Sequence, residues 1–243
     1  HVNFWFNRLS ILDLSAEANQ PMYSKEFNTM VMFNGEIYNH AELRYELQKL
    51  GLKFYTSHSD TETLLVGLSY YGIDFVDKLR GQFAIAFFDE RKSELSLIRD
   101  RLGQKPLYYF LDNENIYFGS SLLSLLKIKK KYKIDENQLY SYLDYGIITS
   151  PFTLFKNIYK LMPSEILIVN LQKNNFTATK SKYWNVENFL DNKPLIFESS
   201  RVAFDSANSS LIVARRSSSP GSWRSARTRD SAKKFALSDE YPR

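Results

Sequence analysis

Cysteine is absent from all 243 residues, which removes disulfide bonds, thiolate metal sites and any thiol nucleophile carried by this sequence. Long apolar runs are missing too: no stretch approaches the roughly 18 residues that a membrane-spanning helix needs. The opening His1-Val2-Asn3 has neither the basic segment nor the cleavage pattern of a secretory signal. An excess of one charge is absent from most of the chain. The formal net charge is +5, but residues 199–243 carry nine Lys/Arg against four Asp/Glu, so the first 198 residues are balanced. That body has no electrostatic case for DNA or RNA. The expectations are a soluble, cytoplasmic chain with no nucleic acid and no membrane as partner. The sequons at Asn175 and Asn208 carry no meaning without a signal peptide.

What is present is the composition of a globular body, with 44% hydrophobic, 15% aromatic and 24% charged residues. The first residues, HVNFWFNRLSILDL, read like the middle of a strand, so the sequence is expected to begin inside a domain. Residues 29–34 are β-rich and run into Asn34-Gly35, a strong turn pair. Asn39 with Glu42 reads as a capping box for a helix carrying Leu43, Leu47 and Leu50 and closed by Gly51. A second helix is expected from Ser59 or Asp60, with Leu64, Leu65, Leu68 and Tyr71 on one face and a stop at Gly72. Residues 82–90, 94–100, 106–112 and 116–121 are four short strand-like runs with turn-sized gaps, which predicts an antiparallel meander. Helices are expected over 122–128 and 135–145 and another strand over 166–171. Strands and helices in blocks predict an α+β fold. From residue 199 onward 12 of 45 residues are Ser, with no periodic apolar pattern, so this tail is expected to be disordered or non-native.

Four fragments could carry chemistry: RLSILD (Arg8 to Asp13), NGEIYN (Asn34 to Asn39), SDTE (Ser59 to Glu62) and RDRLGQKPLYY (Arg99 to Tyr109). Taken singly, each has a plain structural reading. Arg8 could be a surface ion-pair partner, Asn34-Gly35 a turn, Asp60 a helix N-cap, and Arg99, Asp100 and Arg101 an ion-pair cluster. Tyr108, Tyr109 and Trp184 read as core or interface aromatics. His40 and His58 could be proposed as bases for a serine triad, with His58-Ser59-Asp60 adjacent in sequence, but such roles need side chains that converge in space.

In this order the fragments resemble the glutaminase domain of glutamine-hydrolysing asparagine synthetase, a class II glutamine amidotransferase. The similarity continues through Gln20 to Met22, Leu79 to Asp89, and from Leu139 to Tyr183-Trp184, about three quarters of the chain. The resemblance implies an N-terminal-nucleophile αββα sandwich, two antiparallel sheets between helical layers, lacking its first strands. It divides the chain into an amidotransferase domain over 1–185, a linker over 186–198 and the tail over 199–243. It assigns Arg8 to the α-carboxylate of L-glutamine, which a planar guanidinium grips bidentately. Asp60 would hold the ammonium with Glu36 alongside, and the Asn34 amide and Gly35 N–H would form the oxyanion hole.

The family's nucleophile is an N-terminal cysteine whose own amine is the base. Neither His1 nor Ser10 stands in its place, so the sequence is expected to be truncated at both ends and inactive as it stands. The resemblance also implies a synthetase domain, absent here, that makes asparagine from aspartate with ATP and Mg in the parent protein; no cofactor is expected for this portion. Residues 204–214, FDSANSSLIVA, put Asp205 and Ser206 where the family's phosphate loop has glycines, which is unfavourable for ATP. The acceptor of the parent and its assembly, including a homodimer, stay open. Two further readings stand beside this one: an amidotransferase of polysaccharide or secondary-metabolite synthesis, and a non-catalytic glutamine-binding or scaffold module.

Overall fold

Two β-hairpins that follow one another directly in sequence belong to different sheets, and this decides the architecture. The computed structural model describes residues 19–112, 115–128, 131–172 and 176–189. Arg8, Ser10, Asn175, Asn208, the linker from residue 190 and the tail over 199–243 lie outside the described residues. A six-stranded antiparallel sheet runs in the order β1 (Met22–Ser24), β2 (Thr29–Ile37), β3 (Gly81–Asp89), β4 (Glu94–Arg99), β8 (Glu165–Asn170), β9 (Thr177–Lys182). A three-stranded antiparallel sheet runs β6 (Asn115–Gly119), β5 (Tyr108–Asp112), β7 (Tyr159–Lys160). The single meander expected over 82–121 is therefore corrected to one hairpin in each sheet.

The side-chain alternation of the strands builds the layers. Val31, Phe33 and Ile37 of β2, Phe83, Ile85 and Phe87 of β3, Ile98 of β4 and Ile166 of β8 face one side of the large sheet. There they pack under Leu43 and Leu47 of α1 (His40–Lys49) and Leu64, Leu65 and Leu68 of α2 (Asp60–Tyr71). The intervening residues Ala84, Ala86, Leu95, Leu97, Leu167 and Val169 face the other side and pack on Leu107, Tyr109 and Leu161 at the small sheet. Beyond that sheet, Phe110 and Ile158 pack on Leu125 of α3 (Leu122–Ile128). The order is helix, sheet, sheet, helix: the α+β class that the pattern of elements predicts, in the four layers that the resemblance implies. A fourth helix, α4 (Glu136–Tyr145), is capped by Asp135 and Gly146 and buries no side chain.

The crossing between sheets is held by Arg99 and Asp100, not by the ion-pair cluster expected there. Asp100 is fully buried, and its carboxylate accepts from the backbone N–H of Phe83 (3.3 Å), Leu102 (3.1 Å), Gln104 (2.9 Å) and Lys105 (2.9 Å). The Arg99 guanidinium donates to the carbonyls of Lys105 (2.8 Å), Leu161 (2.6 Å) and Gly103. One carboxylate and one guanidinium thus satisfy the backbone of the loop that turns the chain out of the large sheet, where a buried unpaired group would be costly. Tyr183 adds a hydrogen bond from its hydroxyl to the Arg99 carbonyl at 2.9 Å.

Candidate functional site

Asn34-Gly35 is not a turn, contrary to expectation; β2 runs straight through it from Thr29 to Ile37. Gly35 has φ +150°, and a Cβ placed there would stand 2.8 Å from Phe83 Cα and closer still to the Gln82 carbonyl oxygen. Glycine is needed because the backbone of β3 approaches closely, not because the chain reverses.

Among the described residues β1 pairs only with Thr29 to Val31, and no described strand pairs with that edge of β2 from Met32 to Ile37. Side chains take over that edge. The Phe33 N–H donates to Gln20 Oε1 at 2.6 Å, and the Ile37 N–H donates to Asp60 Oδ2 at 3.3 Å. Opposite Gly35, the N–H and C=O of Phe83 are engaged with Asp100 on the far side of β3. The alternation of an antiparallel ladder therefore turns the N–H and C=O of Gly35 away from β3 and onto the edge between Gln20 and Asp60. Gly35 is exposed there. The structure thus brings Gly35 and Asp60 to one edge. Asn34 and Glu36, one residue to either side, are half-buried and project from the opposite face of β2, the face Met32 uses toward the small sheet. Among the described residues no hydrogen bond joins Asn34, Glu36 and Asp60. Arg8 lies outside the described residues.

Asp60 is the first residue of α2, and the cap itself is Ser59, whose Oγ accepts from the Glu62 N–H at 3.3 Å. Asp60 is therefore not spent on capping. It is buried, and burial pushes its carboxyl above the ordinary value, offset in part by hydrogen bonds from Ile37 and Thr61 and by the nearby His40 charge. Ser59 does not form a triad with His58, whose Nδ1 meets Ser57 Oγ at 2.5 Å. The helix start is fixed by Glu62, the last residue of SDTE. Its carboxylate accepts from Tyr55 N–H (2.6 Å), Thr56 N–H (2.9 Å) and Thr56 Oγ1 (2.5 Å), and it pairs with Arg44 at 3.4 Å. Arg44 also donates to the Thr56 carbonyl.

At the other end of β2, Asn39 precedes α1 but makes no side-chain cap, so the expected capping box does not form. Its amide instead donates to the Lys78 carbonyl and accepts from the Arg80 N–H, both at 2.9 Å, beside the Tyr38 N–H to Arg80 carbonyl bond at 2.7 Å. This clamp continues the β2–β3 pairing past the last strand residue. Gln20, Thr61 and Glu62 were not legible as site-builders. Gln20 does stand in the stretch Gln20 to Met22, and Thr61 and Glu62 in SDTE, which was the available signal. Among the described residues no group of three or more His, Asp or Glu side chains could hold a metal, and no helix is long and apolar enough to cross a membrane.

Residues 1–184 match the family model described as "Glutamine amidotransferase domain". A putative glutamine-hydrolysing asparagine synthetase 2 of Methanocaldococcus jannaschii is 34% identical over 82% of this chain and 41% of its own length. Asparagine synthetase 1 of Bacillus subtilis is 39% identical over 67% of this chain and 26% of its own length. The amidase chry2 of Gibberella zeae is 30% identical over 77% of this chain and 27% of its own. The chain thus spans between about a quarter and two fifths of the length of these relatives. A glutamine phosphoribosylpyrophosphate amidotransferase of B. subtilis superposes with a TM-score of 0.45 at 19% identity, over 68% of this chain and 32% of that one.

Proposed function

Because the chain belongs to the glutamine amidotransferase domain family, we propose that the edge of β2 around Gly35 is where it holds one molecule of L-glutamine, as the amino-donor portion of a glutamine-hydrolysing asparagine synthetase. The observation that carries this reading is the outward-facing Gly35 N–H beside a buried carboxylate that caps nothing. A buried acid suits an ammonium, whose charge repays the desolvation of the carboxylate. A backbone N–H held on a strand suits an oxyanion, because it is already oriented when charge develops and needs no reorganisation. In this reading Asp60 takes the α-ammonium, the Gly35 N–H serves the tetrahedral oxygen, Arg8 closes on the α-carboxylate as a bidentate fork, and the Asn34 amide and Glu36 reach the same ligand from the other face of β2.

The hydrolytic step needs a nucleophile, and this sequence has no thiol. The chain accordingly binds glutamine without releasing ammonia from it. The ammonia made by a complete parent passes to a synthetase portion that uses ATP and Mg to convert aspartate to asparagine, in the cytoplasm. In this reading that chemistry is the parent's, and no step through nucleotide or metal is assigned to the residues here. Calorimetric titration of L-glutamine into the wild-type chain and Arg8→Ala tests the reading. Binding by the wild type, lost or weakened by at least about tenfold without the guanidinium, supports it; equal heats from both, or ammonia released above a heat-killed control, overturn the corresponding assignment.

A further inference from the structure

Four hydrogen bonds form a loop around Gly35 that no single one of them explains. The Phe33 N–H donates to Gln20 Oε1 (2.6 Å). Gln20 Nε2 donates to Thr61 Oγ1 (3.4 Å), Thr61 Oγ1 donates to Asp60 Oδ1 (3.4 Å), and the Ile37 N–H donates to Asp60 Oδ2 (3.3 Å). The loop starts and ends on the edge of β2 that faces away from β3, four residues apart. Its direction is fixed. A backbone N–H can only donate, so the Gln20 oxygen must face Phe33 and its NH₂ must face Thr61. A hydroxyl has one proton; with an N–H already pointing at its oxygen, Thr61 sends that proton to Asp60. Thr61 is buried and Gln20 half-buried, so bulk water does not compete freely for these groups.

We propose that Gln20 and Thr61 are positioning residues for Asp60: through a one-way relay of donors they fix the direction of its carboxylate on the edge that carries Gly35, tuning the site for a ligand that carries an α-ammonium. This rests on the reading of Asp60 as the ammonium partner. The groups that act on Asp60 are the N–H of Ile37 and of Thr61, the Thr61 hydroxyl, and the charge of His40. Only the hydroxyl depends on Gln20. Gln20→Glu keeps the acceptor for Phe33 but replaces the donor facing Thr61 with a second acceptor. The hydroxyl proton then turns to the introduced carboxylate, and Asp60 loses a donor while gaining a negative neighbour. Both changes favour the protonated acid. Thr61→Val removes the hydroxyl at nearly the same volume and adds no charge.

The test uses the full chain with 13C-labelled aspartate. The Asp60 carboxyl midpoint is followed by NMR in the wild type, Gln20→Glu, Thr61→Val and Thr61→Ser. Affinities are measured for L-glutamine and for 4-carbamoylbutanoate, the same molecule without its ammonium. The relay predicts an upward midpoint in Gln20→Glu and Thr61→Val and a wild-type midpoint in Thr61→Ser. It predicts a loss of glutamine affinity of about tenfold in the first two, with the des-amino ligand changed by less than about twofold. An unmoved midpoint in Thr61→Val overturns the relay, and so does an equal loss for both ligands, which is what a merely structural role would give. A midpoint that rises in a chain whose wild type binds neither ligand keeps the relay and overturns the glutamine reading. If Gln20→Glu does not fold, the valine and serine variants decide alone.

Discussion

Replacing Gly35 by alanine is the sharpest perturbation available, because its cost can be worked out from the neighbouring strand. The new Cβ would lie 2.8 Å from Phe83 Cα and 2.9 Å from the Gln82 carbonyl carbon, against backbone atoms that have no rotamer to escape into. Relief requires β2 and β3 to separate locally, at a cost typical of overpacking, about 1–3 kcal/mol. The φ of +150° adds about 1–3 kcal/mol for an L-residue. The expected total is about 4 kcal/mol, a large share of the roughly 5–15 kcal/mol that holds a domain folded. Gly146 is the control. It closes α4 at φ +72°, but a Cβ there meets no heavy atom within 4 Å, so Gly146→Ala should cost only the conformational part, about 1 kcal/mol. Equilibrium urea unfolding of the three proteins, compared at constant m-value, measures both costs. Equal losses in the two variants would refute the close-approach explanation of Gly35.

Two further outcomes follow from the same geometry. Asp60→Asn should trade stability for function. The folded carboxyl is raised above its unfolded value, so the folded state holds the proton longer and stability falls as pH rises from the ordinary aspartate range through the folded midpoint. The asparagine variant should therefore be more stable than wild type at neutral pH, the difference should vanish in acid, and glutamine binding should be lost; thermal unfolding at two pH values checks the sign. Asp100→Ala should cost about 4 kcal/mol, because it orphans the N–H groups of Phe83, Leu102, Gln104 and Lys105 around a fully buried position. Amide exchange should then quicken selectively over 100–107, and a uniform loss of protection would show that the loop is not what Asp100 holds.

Much of the fold was legible because the strands carry it in their period. The alternation Phe83, Ile85, Phe87 against Ala84, Ala86 writes two buried faces into one segment, and α2 announces itself through Ser59 and Gly72 at its ends. What was misread has a common cause: local chemistry with two uses, the choice made by a distant partner. Asn-Gly serves a reversal or a close approach equally well, and Gln82, far along the chain, selects the second. Asn39 can cap a helix or bind backbone, and Lys78 and Arg80 claim it. Strands 94–99 and 108–112 look like neighbours until Asp100 and Arg99 fold the loop between them out of the sheet. At the site, the fragment order singled out Gly35 and Asp60, but not Gln20 or Thr61, whose hydrogen bonds span 13 and 41 residues and leave no trace in spacing.

The backbone amide of Gly35 is the atom on which the functional account turns. In a 15N-labelled chain titrated with L-glutamine, its resonance should move with saturation, together with the amides of Ile37 and Thr61, while those of α4 stay in place. If glutamine leaves the Gly35 resonance unmoved at saturating concentration, or shifts residues of the small sheet in its stead, the edge of β2 is not where the amino acid is read.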